Sequence, residues 1–399
     1  MGVGTLLGFL IGDRMAILTL AGHRRAWIIG LVFVLSAGLA REYDNEDLLH
    51  EPWYLLLPLG ASFVSSFVLY CVLYGIGALW RGDGPSFLAA YLGFLNLFWM
   101  TAPLAWLYAI PYERMMDPVS ATGANLCTLA IVSIWRVALM MRVAVVLMGM
   151  GPWSAIFRVM AYADGVALTV LYFLPFPIIE IMGGAHLPGA EGMVRGAAQN
   201  VLCFGGGSFL IWVIAAAICA SKTCWQVRPD QAANPAIRWP LRILALASLA
   251  IWPAILPFTQ PEQQLRRRVE CAFRQGRHAD GLAEMSFHTL SDFPPHWEPP
   301  PRFLQGDRMD MILDVWEAII QDPPASWVRE RYMKKLTDYI AQGPWRFNEE
   351  NFANLLNRLP EGESLLRDME LHPRWKWNIE RLEPYLRPEL REKLKKDDK

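Results

Sequence analysis

The chain has 399 residues, and its 37 Lys and Arg against 38 Asp and Glu leave a formal charge of −1, which excludes a basic surface built for nucleic acid. Hydrophobic residues make up 54% and charged residues only 19%, too apolar for a disordered or ordinary soluble chain and pointing to a membrane. Residues 257–399 hold 48 of the 75 charges, so the expected organisation is a lipid-embedded region followed by a water-soluble tail.

Residues 1–25 read as an interfacial or re-entrant N-terminal helix. Gly4, Gly8 and Gly12 stand at G-x-x-x-G spacing and offer a smooth packing face, while Asp13 and Arg14 interrupt the helix before it spans. Residues 26–258 read as a transmembrane helix bundle, because a hydrocarbon core of about 30 Å needs about 20 apolar residues as helix. The candidate spans are 27–40, 53–79, 87–110, 124–150, 156–182, 200–220 and 241–258, five of full length with a short one at each end. Trp27, Trp53, Trp80, Trp153, Trp225 and Trp239 fall near their boundaries, where an indole prefers the headgroup level. Pro103, Pro175, Pro177 and Gly205 to Gly207 mark places where a helix can kink or open. With a cytoplasmic N-terminus, only Arg41, Arg114 and Arg195 fall on the outer side, as the positive-inside rule requires. Seven crossings then put the tail outside, although Arg266, Arg267 and Arg268 pull the other way.

Four ionisable groups inside the spans demand an account, since each costs about 2.5 to 3.5 kcal/mol on insertion scales. Arg136 lies near the middle of its span with Asn96 as the nearest polar neighbour in depth, a candidate pair for binding an anion or headgroup. A plain helix-bundle clamp is the alternative. Arg142 and Asp164 sit at similar depth on antiparallel spans and are expected to form an interhelical ion pair, with Arg158 nearer the inner surface. Glu180 lies about 24 Å along its helix from Asp164, too far for a carboxylate dyad, and reads as interfacial.

Residues 259–399 read as a soluble all-α domain. Pro257 and Pro261 are expected to end the last span, and Leu265, Val269 and Phe273 then recur at helical spacing. The run 293–301 carries five prolines and reads as a rigid extended linker. Beyond it, apolar periodicity predicts helices over 309–320 and 327–340, a third capped by Asn348 or Asn351, and a charged terminal helix over 388–396. Trp297, Trp345, Trp375 and Trp377 are candidate anchors for a protein partner. His278, His288 and His296 lack metal-ligand spacing, Cys271 has no C-x-x-C partner, and no hydrolase, metalloprotease or P-loop motif occurs. No metal, cofactor or catalytic residue is therefore expected.

The run from Arg41 through Tyr43, Asn45 and His50 to Trp53, followed by a long apolar span, resembles uncharacterised bacterial multi-pass membrane proteins. Gly84-Pro85-Ser86-Phe87 with the two spans after it resembles Yip-family domains, which implies a role in membrane organisation or trafficking. The Arg-bearing fourth span and the large tail depart from that pattern, so the resemblance carries over neither ligand nor activity. The expectation is an all-α polytopic bundle in the inner membrane that anchors a helical interaction domain, with the bilayer and a protein as partners. A transporter or lipid-handling protein using an intramembrane Arg site is the alternative.

Overall fold

The computed structural model describes residues 1–42, 46–78, 86–173, 188–219, 225–226, 236–301, 308–342, 348–371 and 375–397. These are helical, with no strand among the described residues, and they form two compact units, Met1–Gln263 and Gln264–Lys399. Six helices are long and apolar enough to cross a membrane, or seven if the first bent pair counts as one span.

That pair is α1 (Val3–Leu10) and α2 (Arg14–Gly22), which meet at 120°. Gly12 turns the chain at φ +80, a left-handed conformation that costs glycine little, and Asp13 caps α2 by accepting from the Ala16 N–H at 2.8 Å. Of the glycine stripe, Gly8 packs on Ala16 inside this same turn of chain, and Gly4 faces open space. The 17 residues of α3 (Ala26–Glu42) rise about 25 Å. The expected span at 27–40 is accordingly not one of the six.

The crossing candidates follow. The first contains α4 (Leu56–Ala78). The second begins with α5 (Phe87–Trp99), passes through a 3-10 turn at Ala102–Ala109 that opens beside Pro103, and ends with α6 (Tyr112–Met115). Then come α7 (Pro118–Met148), α8 (Pro152–Phe173), α9 (Pro188–Ile218) and α10 (Trp239–Arg274). Outward on α4 stand Leu56, Leu57, Phe63, Val64, Phe67 and Val68, and outward on α9 Leu210, Ile211, Ile214 and Ile218. A surface of this kind belongs in oil.

Two expectations about helix breaks are corrected. Helix α9 runs unbroken through Gly205 to Gly207; Gly205 lies against Leu168, and Gly165 lies against Phe209, so the small residues bring α8 and α9 together. Pro257 and Pro261 do not end the helix of the last span. With Pro253 they stand four residues apart on one exposed stripe of α10, where each removes a single backbone donor while the adjoining stripe of Trp252, Leu256 and Gln260 is buried. The 36 residues of α10 rise about 54 Å, more than a hydrocarbon core, so the helix must leave it before its end. Pro175, Pro177 and Glu180 lie outside the described residues.

The second unit packs the end of α10 with α11 (His278–Ser286), α12 (Arg308–Gln321), α13 (Ser326–Gln342), α14 (Glu349–Arg358), α15 (Gly362–Leu371), α16 (Lys376–Leu382) and α17 (Pro388–Asp397). Trp316, Tyr332, Phe352 and Trp375 are fully buried at its core. Asn348 caps α14 by accepting from the Asn351 N–H at 3.1 Å. The segment 293–301 is irregular, as its prolines demand, yet it is no free linker. Phe293 stacks on Trp297 at 4.3 Å, Trp297 donates to Glu270 at 3.1 Å, and Tyr332 donates to the Pro300 carbonyl at 2.6 Å. Lys335, itself buried, reaches the Pro299 and Pro301 carbonyls and the Glu298 carboxylate. Prolines without N–H groups leave carbonyls to be satisfied, and a buried ammonium answers three of their neighbours at once.

Candidate functional site

Arg136 is carried by α7, whose ends are strongly specified. Asp117 accepts from the Val119 and Ser120 N–H groups at 3.1 Å, Pro118 occupies the tolerated first position, and Gly149 closes the helix at φ +60. Hydrogen bonds from Ser120 hold the Asp117 carboxyl below the ordinary carboxylate range. Over 31 residues this helix rises about 46 Å, which leaves Arg136 near its middle.

Arg136 is half-buried as a residue, and its guanidinium stands over the Phe98 ring at 5.2 Å. Tyr108 and Tyr162 are its electrostatic neighbours, and the second cation acting on it is Arg41, which in turn stands 6.0 Å from the Tyr108 ring. Tyr162 is held by donating to the Ser65 carbonyl at 2.9 Å. Elements α3, α4, α5, α7 and α8 thus converge on an aromatic-walled cation. No carboxylate forms an ion pair with Arg136 among the described residues. Such a setting can receive an anion; it supplies no general base or nucleophile at the guanidinium.

Asn96 has a different task from the one expected. It is 3% exposed, and its amide donates to the Leu20 and His23 carbonyls at 3.3 and 2.9 Å, which closes the C-terminal end of α2. Depth was legible from residue spacing, but the arrival of α2 at that level was not.

Arg142 and Asp164 also find other partners. Arg142 Nε donates to the Gly12 carbonyl at 3.1 Å, and Trp135 Nε1 donates to the Leu10 carbonyl at 2.8 Å, so two side chains of α7 hold the C-terminal end of α1. A cation at that end meets both the unsatisfied carbonyls and the negative pole of the helix. Asp164 accepts instead from Ser208 Oγ at 2.5 Å, tying α8 to α9. Arg158, expected nearer the surface, is 1% exposed and donates to the Leu73 carbonyl at 3.1 Å.

Sequence reasoning passed over Ser36. Its fully buried hydroxyl accepts from Trp106 Nε1 and Trp252 Nε1, both at 3.1 Å, and donates to the Ser248 carbonyl at 2.7 Å. No group of three or more His, Cys, Asp and Glu able to hold a metal occurs among the described residues. Cys71, Cys127, Cys203, Cys219 and Cys271 are free thiols.

Compared with known protein families, curated proteins and solved structures, the chain matches none of them. The function must therefore be argued from the chain itself.

Proposed function

We propose that this is a polytopic protein of a bacterial inner membrane whose helix bundle anchors a water-exposed α-helical domain for binding a protein partner, a scaffolding or membrane-organising role without enzymatic chemistry. The observation that carries the reading is the contrast between the surfaces of the two units. Large exposed apolar side chains run along the spanning candidates of the first, whereas in the second only Phe287, Leu290, Leu371 and Tyr385 are so exposed among the described residues. Isolated apolar residues on an otherwise charged surface are the form that protein-binding anchors take.

The ends of the bundle support one sidedness. Met1 pairs with Ala236 and Arg238, just before α10 begins, and the element order puts Arg142, Arg158, Arg238 and Arg242 toward that end. The opposite end carries Glu42, Glu46, Asp47, Glu51, Glu113 and Glu262 against Arg41 and Arg114. The positive-inside rule then supports a cytoplasmic N-terminus, and α10 leads the chain to the outer side.

The test is affinity purification of the full chain from membranes beside two variants, deletion of residues 276–399 and the double change Phe287→Ser with Leu371→Ser. A partner that binds the full chain and is lost from both variants is the expected result. Identical co-purifying proteins from all three would overturn the reading.

The second reading is lipid handling or transport through Arg136, favoured by its aromatic cage and the absence, among the described residues, of a carboxylate ion pair there. Arg136→Gln removes the charge at similar volume. It should leave the assembled protein intact while cutting co-purified anionic lipid severalfold; loss of folded protein with unchanged lipid content per molecule would make Arg136 a clamp instead.

A further inference from the structure

At the Met1 end of the bundle, Ser154 and Arg158 stand one turn apart on the inward face of α8, 2% and 1% exposed. Arg158 Nη1 is fixed by the Leu73 carbonyl. Among the described residues its Nε and Nη2, which share the other edge of the guanidinium plane, are buried with no hydrogen-bond partner, and so is Ser154 Oγ. Trp225, whose ring meets Tyr74 beside Leu73 at 6.1 Å, contributes another buried donor without an acceptor, its indole Nε1. Among the described residues no charged side chain acts on Arg158.

A guanidinium cannot shed its proton at any physiological pH, so it has no escape by neutralisation, and an uncompensated buried charge costs several kcal/mol. Buried donors left over in this way mark the place of an unseen ligand. The Nε and Nη2 pair is a planar fork that matches two oxygens of an oxyanion, the Ser154 hydroxyl offers a third donor, and the positive pole of α8 favours negative charge at the same end. We infer that Arg158 and Ser154 form a binding site for a phosphate-class oxyanion at the Met1 end of the bundle. Phosphate suits the donor set better than carboxylate because the fork and the hydroxyl together call for more than two oxygens. Arg158 lies about 9 Å along α8 from Pro152, while Trp153 and Trp239 are exposed at the same end, where indoles mark the headgroup level. Both a phospholipid headgroup and free phosphate can supply the ligand. The inference does not depend on the role given to residues 264–399.

Thermal unfolding of the full-length protein, stripped of lipid in phosphate-free maltoside micelles with chloride, gives the baseline. One arm adds inorganic phosphate, and another adds phosphatidylglycerol. A rise in melting temperature is expected in at least one arm: phosphatidylglycerol alone identifies a lipid headgroup, and inorganic phosphate identifies a soluble anion. Arg158→Gln should match or exceed the wild-type baseline and show no rise. Arg158→Lys, which keeps the charge and loses the fork, and Ser154→Ala should each need about tenfold more ligand for the same rise. If Arg158→Gln fails to fold, the other two variants decide alone. No rise for the wild type in either arm, or the same titration for wild type and variants, overturns the site.

Discussion

Ser36 shows how one small residue organises the bundle. A serine on α3 leaves room for two tryptophan rings, from the 3-10 turn after α5 and from α10, and its single hydroxyl satisfies both indoles while donating to the Ser248 carbonyl, also on α10. In oil there is no water to take over any of these bonds, so the hydroxyl fixes the mutual placement of three segments. Asp338 makes the opposite case in the second unit. It is half-buried on α13, and burial raises its carboxyl above the usual range while Lys334 offsets part of the shift. A raised carboxyl pKa means that the folded state disfavours the ionised form: stability is full below about pH 4, and it declines as pH rises through the folded-state value. Asp338→Asn should accordingly raise the melting temperature of the full-length protein at about pH 7, with the gain shrinking toward zero near pH 4. A gain of equal size at both ends of that range would assign the effect to something other than ionisation.

At the scale of elements, hydropathy patterning and break residues gave the helices, but what each break does depended on neighbours that spacing does not name. Asp13 and Arg14 foretold an interruption of the N-terminal helix, because an N-cap acid acts locally, whereas Gly12, expected on a packing face, makes the left-handed turn between α1 and α2. The prolines of α10 foretold a terminus and instead line the exposed stripe of a continuous helix whose adjoining stripe of Trp252, Leu256 and Gln260 is buried. Depth arithmetic placed Arg142 level with Asp164 and Arg136 level with Asn96; it could not foresee that the α1 and α2 pair would reach the same level and engage Arg142 and Asn96 by its own carbonyls. Burial of Arg158 was equally invisible, because an arginine two residues into the expected span 156–182 reads as a flank near the surface until its surroundings are known. Close helix approach has a test of its own. A Cβ on Gly30 of α3 would come within 2.8 Å of the Trp99 Cβ, whereas one on Gly4 of α1 meets nothing within 4 Å. Gly30→Ala should therefore cost about 1 to 3 kcal/mol as overpacking, and Gly4→Ala should be neutral or stabilising by up to about 1 kcal/mol. Unfolding of both variants in the same micelle measures the contrast, and equal losses would contradict the packing of α3 on α5.

For the whole molecule, membrane insertion and sidedness make one joint prediction about thiol chemistry. Cys127 and Cys203 are exposed on the first unit, and on a water-soluble protein both would react readily with a maleimide. Within hydrocarbon the thiolate that performs the attack does not form, so these two should stay unlabelled in native membranes despite their exposure. Leu371→Cys, at a position 79% exposed on the second unit, reports the compartment of the tail, and Trp239→Cys, at 66%, reports the Met1 end. With a membrane-impermeant maleimide, intact cells should label the cysteine at 371 and spare the one at 239 until the membrane is permeabilised. Labelling of both only after permeabilisation would place residues 264–399 in the cytoplasm and require an even number of crossings. Rapid labelling of Cys127 and Cys203 in intact membranes would remove the bilayer from the first unit, and with it the reason for its apolar surface.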